Sequence, residues 1–517
     1  MELWEYIEIV RYHKKGWFSP NDNIEERLNA LVKIAELGHA STIDFLIPIL
    51  KDNNPTIQQT TCSVIVHLFH KYNTKKSYYN ALRHCDISKD DIDIYEKNFP
   101  GEQLVILLAI ASLNSNGYVR EKAVKKLAET NNEKAIPFII YRLADWVMPV
   151  MQSALQAIEH FKKPEFINAL VDNLTMFEWL QKIERINLSY IYLNIMDFVA
   201  IENKQYVVSN FSFFTNKTRL LISKHLSHLK MIEHDDLKLL LKDGHFIIRA
   251  YALNHFEKLT VIEIDRLLKD PSPIVRIKTL YKLRNRPDFP GIAYSFLADN
   301  SASIRELARF SLKKEITDFA AIYNDNLYNQ RNIIGSLRGL AETKGTLFIE
   351  NIEQFLDNKI VKIKKAAFLA LVKLDPEKAL GVAIQNLDSE YIGIRNTVIE
   401  FLHNQAPPEA LQKAREVYNN GSDELKKSML SFFNKVGSWG TITDLMIGTL
   451  DANKDIRDVS VDYVQQWRKK ITSYYFIPPK QSELERANQV WRFSYEMHEE
   501  KKYYNQNPLA EIDFYLR

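Results

Sequence analysis

The chain is short of glycine. Fifteen glycines in 517 residues are few for a compact α/β enzyme with many tight loops, whereas a stack of helices needs little left-handed backbone. Cysteine is nearly absent too. Cys62 and Cys85 cannot supply a disulfide framework, which points to a reducing, cytoplasmic setting. Long apolar runs are missing. No stretch reaches about 18 apolar residues, so no membrane-spanning segment is expected. The opening "MELWEYIEIVRYHKK" carries Glu2, Glu5 and Glu8 and lacks the basic-then-apolar order of a secretory signal. An excess of one charge is also missing. Sixty-eight basic residues face 65 acidic ones, which disfavours a dedicated nucleic-acid binder while leaving room for a local basic patch.

Motifs that carry chemistry are lacking. There is no phosphate-binding G-x-x-x-x-G-K-[ST], no dinucleotide G-x-G-x-x-G, no zinc H-E-x-x-H and no G-x-S-x-G. His67 with His70 and His225 with His228 make two H-x-x-H pairs. An i, i+3 pair holds a metal only when further ligands converge, and His84–Cys85 and His234–Asp235 are poor recruits. These histidines are read as core or solvated side chains. No catalytic residue, metal site or cofactor is assigned, and the chain is read as no enzyme.

What the sequence does contain is apolar material, 46%, and charge, 26%, in the proportions of a folded protein. It also contains a repeat. "LLKDPSPIVRIKTLYKL" ends one helix, turns through Asp270, and starts another at Arg276. The same offset joins Asp243 to Arg249, Asp299 to Arg305, Asp325 to Arg331 and Asp451 to Arg457. Asn114 precedes Arg120 in the same way, and Gln58 takes the basic slot after Asp52. One inserted residue separates Asp357 from Lys364 and Asp388 from Arg395. From Arg249 the slots run through 276, 305, 331, 364, 395, 427 and 457, at steps of roughly 26–33 residues. After each slot the apolar residues fall on one helical face, as with Ile363, Ala367, Ala370, Leu371 and Leu374. Each step is therefore a helical hairpin, and hairpins must stack to bury their faces. The expected fold is all-α: a right-handed α-solenoid of about fourteen stacked antiparallel helix pairs.

The turn Asp, the proline-bearing turns (Pro55, Pro271, Pro273), the Val or Ile before the Arg and the later Ala resemble HEAT repeats, an armadillo-type fold, in their short bacterial form. The resemblance spans roughly residues 24–470. It implies that turn Asp and helix-start Arg hydrogen-bond between successive units. The physics agrees: an Asp before a helix accepts from free backbone N–H groups, and an arginine fork can bridge carboxylates. The structural ladder so implied comprises Asp243, Arg249, Asp270, Arg276, Asp299, Arg305, Asp388, Arg395, Asp451 and Arg457.

Residues 1–23 are expected to form an N-terminal cap helix with Leu3, Trp4, Ile7 and Val10 on one side. Segments near 72–106 and 164–235 break the rhythm, the second being rich in aromatics. Residues 471–517 leave the repeat and form an aromatic cap or docking tail. Trp179, Tyr190, Tyr192, Trp491 and Tyr495 are the partner-binding candidates, because aromatic side chains anchor interfaces. The expected function is a non-catalytic scaffold or adaptor that binds a protein or peptide along the concave face. The alternatives are a nucleic-acid-binding solenoid and a DNA glycosylase-type enzyme, the latter on the adjacent Asp145 and Trp146.

Overall fold

The computed structural model describes residues 2–11, 23–72, 77–229, 232–471 and 478–516. Every regular element among them is a helix, and the chain is an all-α solenoid. It divides into two compact units, Met1–Thr279 and Leu280–Arg517, the division falling within the helix Pro273–Leu283. Among the described residues no helix is long and apolar enough to cross a membrane.

The first unit opens with Leu3–Arg11 packed on Ile24–Leu37. Ile7 and Val10 are buried, and Arg27 donates to the Val10 carbonyl at 3.1 Å. The opening helix thus packs on the next one. Pairs then follow in which a first helix ends, turns and feeds a second, as in Glu102–Ser112 with Gly117–Glu129 and Ile136–Leu143 with Met148–Phe161. The second helices Gly117–Glu129 and Met148–Phe161 pack on each other. One apolar core runs through the unit, including Leu31, Leu68, Val124, Ile158 and Leu240.

Two stretches depart from the rhythm, for physical reasons. Between Pro55–Tyr72 and Glu102–Ser112 lie two extra helices, Ser77–Leu82 and Asp91–Asn98. They are tied back by Asn114, whose side-chain amide donates to the Cys85 carbonyl at 2.7 Å. From Pro164 onward the helices are short, and Phe198–Glu202 is a π-helical turn. Large side chains there, Phe177, Phe198 and Phe211, fill the interior.

In the second unit the pairs run from Phe289–Ser295 with Ala302–Leu312 to Trp439–Gly448 with Lys454–Ile471. The helix Ile333–Glu342 spends two glycines on close approach. A Cβ on Gly335 would lie 1.9 Å from the Ala298 carbonyl oxygen, and one on Gly339 would lie 2.4 Å from the Tyr323 ring. Helix propensity argues against both glycines; contact distance requires them. The tail helix Gln481–Lys501 packs on Trp439–Gly448.

Candidate interaction surfaces

The recurrent Asp and Arg build a two-sided clasp. Six turn aspartates first organise their own turn by accepting from the amide two residues on. Asp52 takes Asn54, Asp145 takes Val147, Asp243 takes His245, Asp270 takes Ser272, Asp299 takes Ser301 and Asp451 takes Asn453, all at 2.7–2.9 Å. This is the Asx turn. The helix-start arginine then uses one nitrogen on the carbonyls of that turn. Arg249 Nη1 donates to Asp243 and Gly244, Arg276 Nη1 to Asp270 and Pro271, and Arg457 Nη1 to Asp451 and Ala452. Within its own turn the guanidinium thus meets carbonyls, where the sequence suggested the carboxylate.

The other edge of the fork reaches the next turn's carboxylate. Arg249 meets Asp270 at 2.6 and 2.8 Å. Arg120 meets Asp145 at 2.9 Å through both Nε and Nη2. Arg219 meets Asp243 at 2.8 Å, and Arg27 meets Asp52 at 2.5 Å. Gln58 fills the same slot with an amide, donating to the Asp52 carbonyl. Burial by itself would raise the Asp145 carboxyl. The hydrogen bonds and charges of Arg120 and Arg142 outweigh it and hold the group below the usual carboxylate range.

Four ladder residues of the second unit take other partners. Arg305 pairs with Glu342, because Asp325 lies inside the helix Phe319–Tyr328 and its carboxylate meets the exposed Arg331 at 2.8 Å and the Asn329 side-chain amide at 2.9 Å. Arg395 donates to the Ser428 hydroxyl and to the Ser389 and Glu390 carbonyls, with Glu424 no nearer than 3.8 Å. No aspartate stands at the turn that follows it, where Asn420 donates back to Glu416. Asp388 pairs with Lys413 at 2.8 Å. Asp451 receives Lys426 at 2.8 Å, so Lys426 takes the clasp place one residue before Lys427. Burial opposes ionisation of Asp451; Lys426, the Asn453 amide and Tyr418 overcome it and lower its pKa.

The aromatic residues singled out in the sequence separate sharply. Tyr192 is buried, 7% exposed, and faces the core rather than a partner. Trp179 stacks on Tyr141 at 5.9 Å, and Arg142 lies 4.3 Å from the other ring of that trio, Tyr141. Tyr190 is exposed. Trp491 donates to the Leu509 carbonyl at 3.0 Å and packs beside Tyr495, so both serve contacts within the tail.

Asp145 and Trp146 part company. The Asp145 side chain is fully buried between two guanidiniums, which leaves no open face to act as a base on a flipped nucleotide. Trp146 stands 72% exposed. Of the H-x-x-H pairs, His70 meets Glu102, His225 meets Asp197, and His228 bonds the Lys224 carbonyl. Among the described residues no three His, Cys, Asp or Glu side chains converge as a metal site. Burial pushes the Cys62 and Cys85 thiols up to about 12, so neither is poised as a nucleophile.

Two surfaces present clusters of exposed side chains, although Arg338 Nη1 donates to the Asn300 carbonyl at 2.9 Å and Lys313 Nζ lies 4.2 Å from the centre of the Phe310 ring. In the second unit, Phe310, Arg338 and Leu369 project from the second helices Ala302–Leu312, Ile333–Glu342 and Val361–Leu374. Phe310 is 65% exposed and borders an open depression lined by Arg309, Lys313, Asp318 and Thr343. Lys362, Lys365 and Lys373 share the outward face of Val361–Leu374 with Leu369 and have no acidic mate among the described residues. In the first unit, Tyr118, Trp146 and Phe213 stand out at or beside turns that lead into second helices. Sequence reasoning assigned neither surface. The signal was present as apolar residues at helix positions pointing away from the buried stripe.

No protein-family model matches the chain, and no curated protein matches it. Solved structures give faint likenesses. Kap95p in a structure with RanGDP is 10% identical over all of this chain and 67% of its own, with a TM-score of 0.32. An importin beta is 12% identical over 89% of this chain, which spans 60% of it, at 0.25. An engineered protein is 12% identical over 91% of this chain and 99% of its own, at 0.17. Superpositions this loose assign no partner to the present chain.

Proposed function

We propose that this chain is a non-catalytic scaffold that holds a protein segment across the second helices of the unit Leu280–Arg517. The observation that carries the reading is the row Phe310, Arg338 and Leu369, two exposed apolar anchors flanking an arginine. Such residues dominate interface energetics. The unmatched Lys362, Lys365 and Lys373 favour a segment bearing carboxylates. Successive second helices present their outward faces side by side, and stacked repeats use that arrangement for extended partners.

A nucleic-acid track is the weaker reading. Glu306, Glu400 and Asp462 are exposed on second helices to either side, and they interrupt any run of phosphate contacts.

The test is affinity capture with the wild-type chain, with Phe310→Ser/Leu369→Ser, and with Val261→Ser/Ile262→Ser as an exposed apolar control. A partner lost only from the first variant, at unchanged melting temperature, supports the proposal. Retention by both variants overturns it, and salt-sensitive binding of duplex nucleic acid would favour the alternative.

A further inference from the structure

We propose that the turn edge of the unit Met1–Thr279 is a docking edge for an anionic lipid surface. The argument begins with position. Tyr118, Trp146, Met148, Phe213, Ile247 and Ile274 are all exposed, and each lies in, or within two residues of the start of, a second helix or in the turn leading to one. Scattered apolar residues need no explanation. Here they gather in the turns before second helices or at the starts of those helices, in most of the repeats from Tyr118 to Ile274.

The clasps show that these turns form a continuous edge. Arg120–Asp145 joins the turn of Tyr118 to that of Trp146, and a Cβ on Gly117 would meet the Val147 side chain at 3.4 Å. Arg185 donates to the Ala144 carbonyl, carrying the edge onward. Lys217–Glu178 at 3.3 Å, Arg219–Asp243 and Arg249–Asp270 extend it to Ile274.

Shape and charge then select the occupant. The apolar groups are tips: Tyr118 is 74% exposed and Phe213 83%. Protruding tips suit a deformable medium better than a rigid groove. Trp and Tyr are also the residues that settle at a bilayer interface. The turn carboxylates Asp145, Asp243 and Asp270 are cancelled by their arginines. What remains on these turns is Lys182, Arg185, Lys217, Lys242 and Lys269 against Glu184. Lys217 and Lys269 have carboxylates on preceding helices; Lys182 and Lys242 have no acidic mate among the described residues. Apolar tips set among uncompensated cations complement acyl chains beneath anionic headgroups.

The experiment is co-sedimentation of the full chain with vesicles of phosphatidylcholine alone and of phosphatidylcholine with about one third phosphatidylserine. Selective pelleting with the anionic vesicles, weakened by salt, is expected. Tyr118→Ser/Trp146→Ser/Phe213→Ser should reduce binding at least tenfold, because transfer of three rings is lost. Lys182→Glu/Lys242→Glu keeps the rings and should also reduce it, which guards against misfolding of the first variant. Phe493→Ser/Phe514→Ser, exposed in the other unit, should bind like the wild type. No pelleting of the wild type, pelleting indifferent to lipid charge, or edge variants that bind normally each overturn the proposal. So does an edge that retains a protein partner while ignoring vesicles.

Discussion

The guanidinium carbon of Arg457 lies 4.1 Å from the centre of the Tyr503 ring. Upstream, Arg120, Arg219 and Arg249 each meet a carboxylate from the following turn. Arg457 belongs to the last pair before the tail, and no carboxylate of a following turn meets it among the described residues. Its Nη1 holds the Asp451 and Ala452 carbonyls, and its Nε is buried without a hydrogen-bond partner. The tail sets the Tyr503 ring against that guanidinium instead. Tyr503→Ala should therefore cost about 1–2 kcal/mol in stability, the range of a desolvated cation–π contact, whereas Tyr503→Phe should be near neutral. Thermal melts of the two variants check this, and equal losses would show that the hydroxyl, not the ring, is what matters.

The clasp makes a second contrast. Arg120→Ala leaves the Asp145 carboxylate buried with one cation instead of two. Breaking a buried pair typically costs about 3–5 kcal/mol, and Arg142 should bring the loss to the lower end. Arg331→Ala removes an exposed partner of the exposed Asp325 and should change little. The pH sign follows from Asp145, whose folded pKa is depressed. Its contribution is complete above the unfolded carboxyl value, about 4, and is lost as pH falls through the folded value. Urea melts from neutral pH to about pH 3 should thus show a smaller acid loss for Arg120→Ala than for the wild type.

Most of the pairing pattern was legible because the turn chemistry is local. An Asp that builds an Asx turn and an Arg six residues on write themselves into the sequence at Asp243/Arg249 and Asp270/Arg276. Arg27 went unrecognised because its mate, Asp52, is 25 residues downstream. Glu342 as the partner of Arg305 could not be read either, since it depends on how Ile333–Glu342 packs, not on spacing. Two of the aromatic candidates are committed inside the fold for a related reason. Composition marks Tyr192 and Trp491 as sticky, but only packing shows that one is buried and the other is bonded to Leu509. Conversely, the exposed Phe310 and Leu369 look like ordinary helix residues until the buried faces of their helices are known.

Glycine offers a matched pair. A methyl at position 339 would meet the Tyr323 ring at 2.4 Å. That ring cannot swing aside freely, because its hydroxyl donates to the Leu297 carbonyl at 3.0 Å and receives Arg309 at 2.9 Å. Gly339→Ala should destabilise by about 1–3 kcal/mol through overpacking. Gly381 lies inside the helix Pro376–Gln385, with nothing near its missing Cβ. Gly381→Ala should stabilise by about 0.5–1 kcal/mol. Chemical denaturation of both, at equal m-value, tests the contrast.

His498 should make the tail's attachment sensitive to acid. Thr449 Oγ1 donates to the Met446 carbonyl at 2.6 Å, so at the 2.8 Å contact with His498 the imidazole Nε2–H is the donor. That leaves Nδ1 as an unprotonated nitrogen, buried and without a partner. A second proton there would have no acceptor. Around it stand Arg457, Glu499 and the rings of Tyr503 and Tyr504. Burial first, then the positive charge of Arg457, lowers the pKa below 6.5, with Glu499 opposing weakly. A base with a depressed folded pKa takes up fewer protons folded than unfolded in the window below 6.5. Stability is therefore whole above that pH and declines as pH falls through the window. His498→Gln keeps an N–H for Thr449 and cannot titrate. The wild type should lose more stability than His498→Gln between about pH 7.5 and 5.5, measured by urea melts followed through tryptophan fluorescence. Identical pH dependence in the two proteins would mean that the imidazole is already accommodated as a cation.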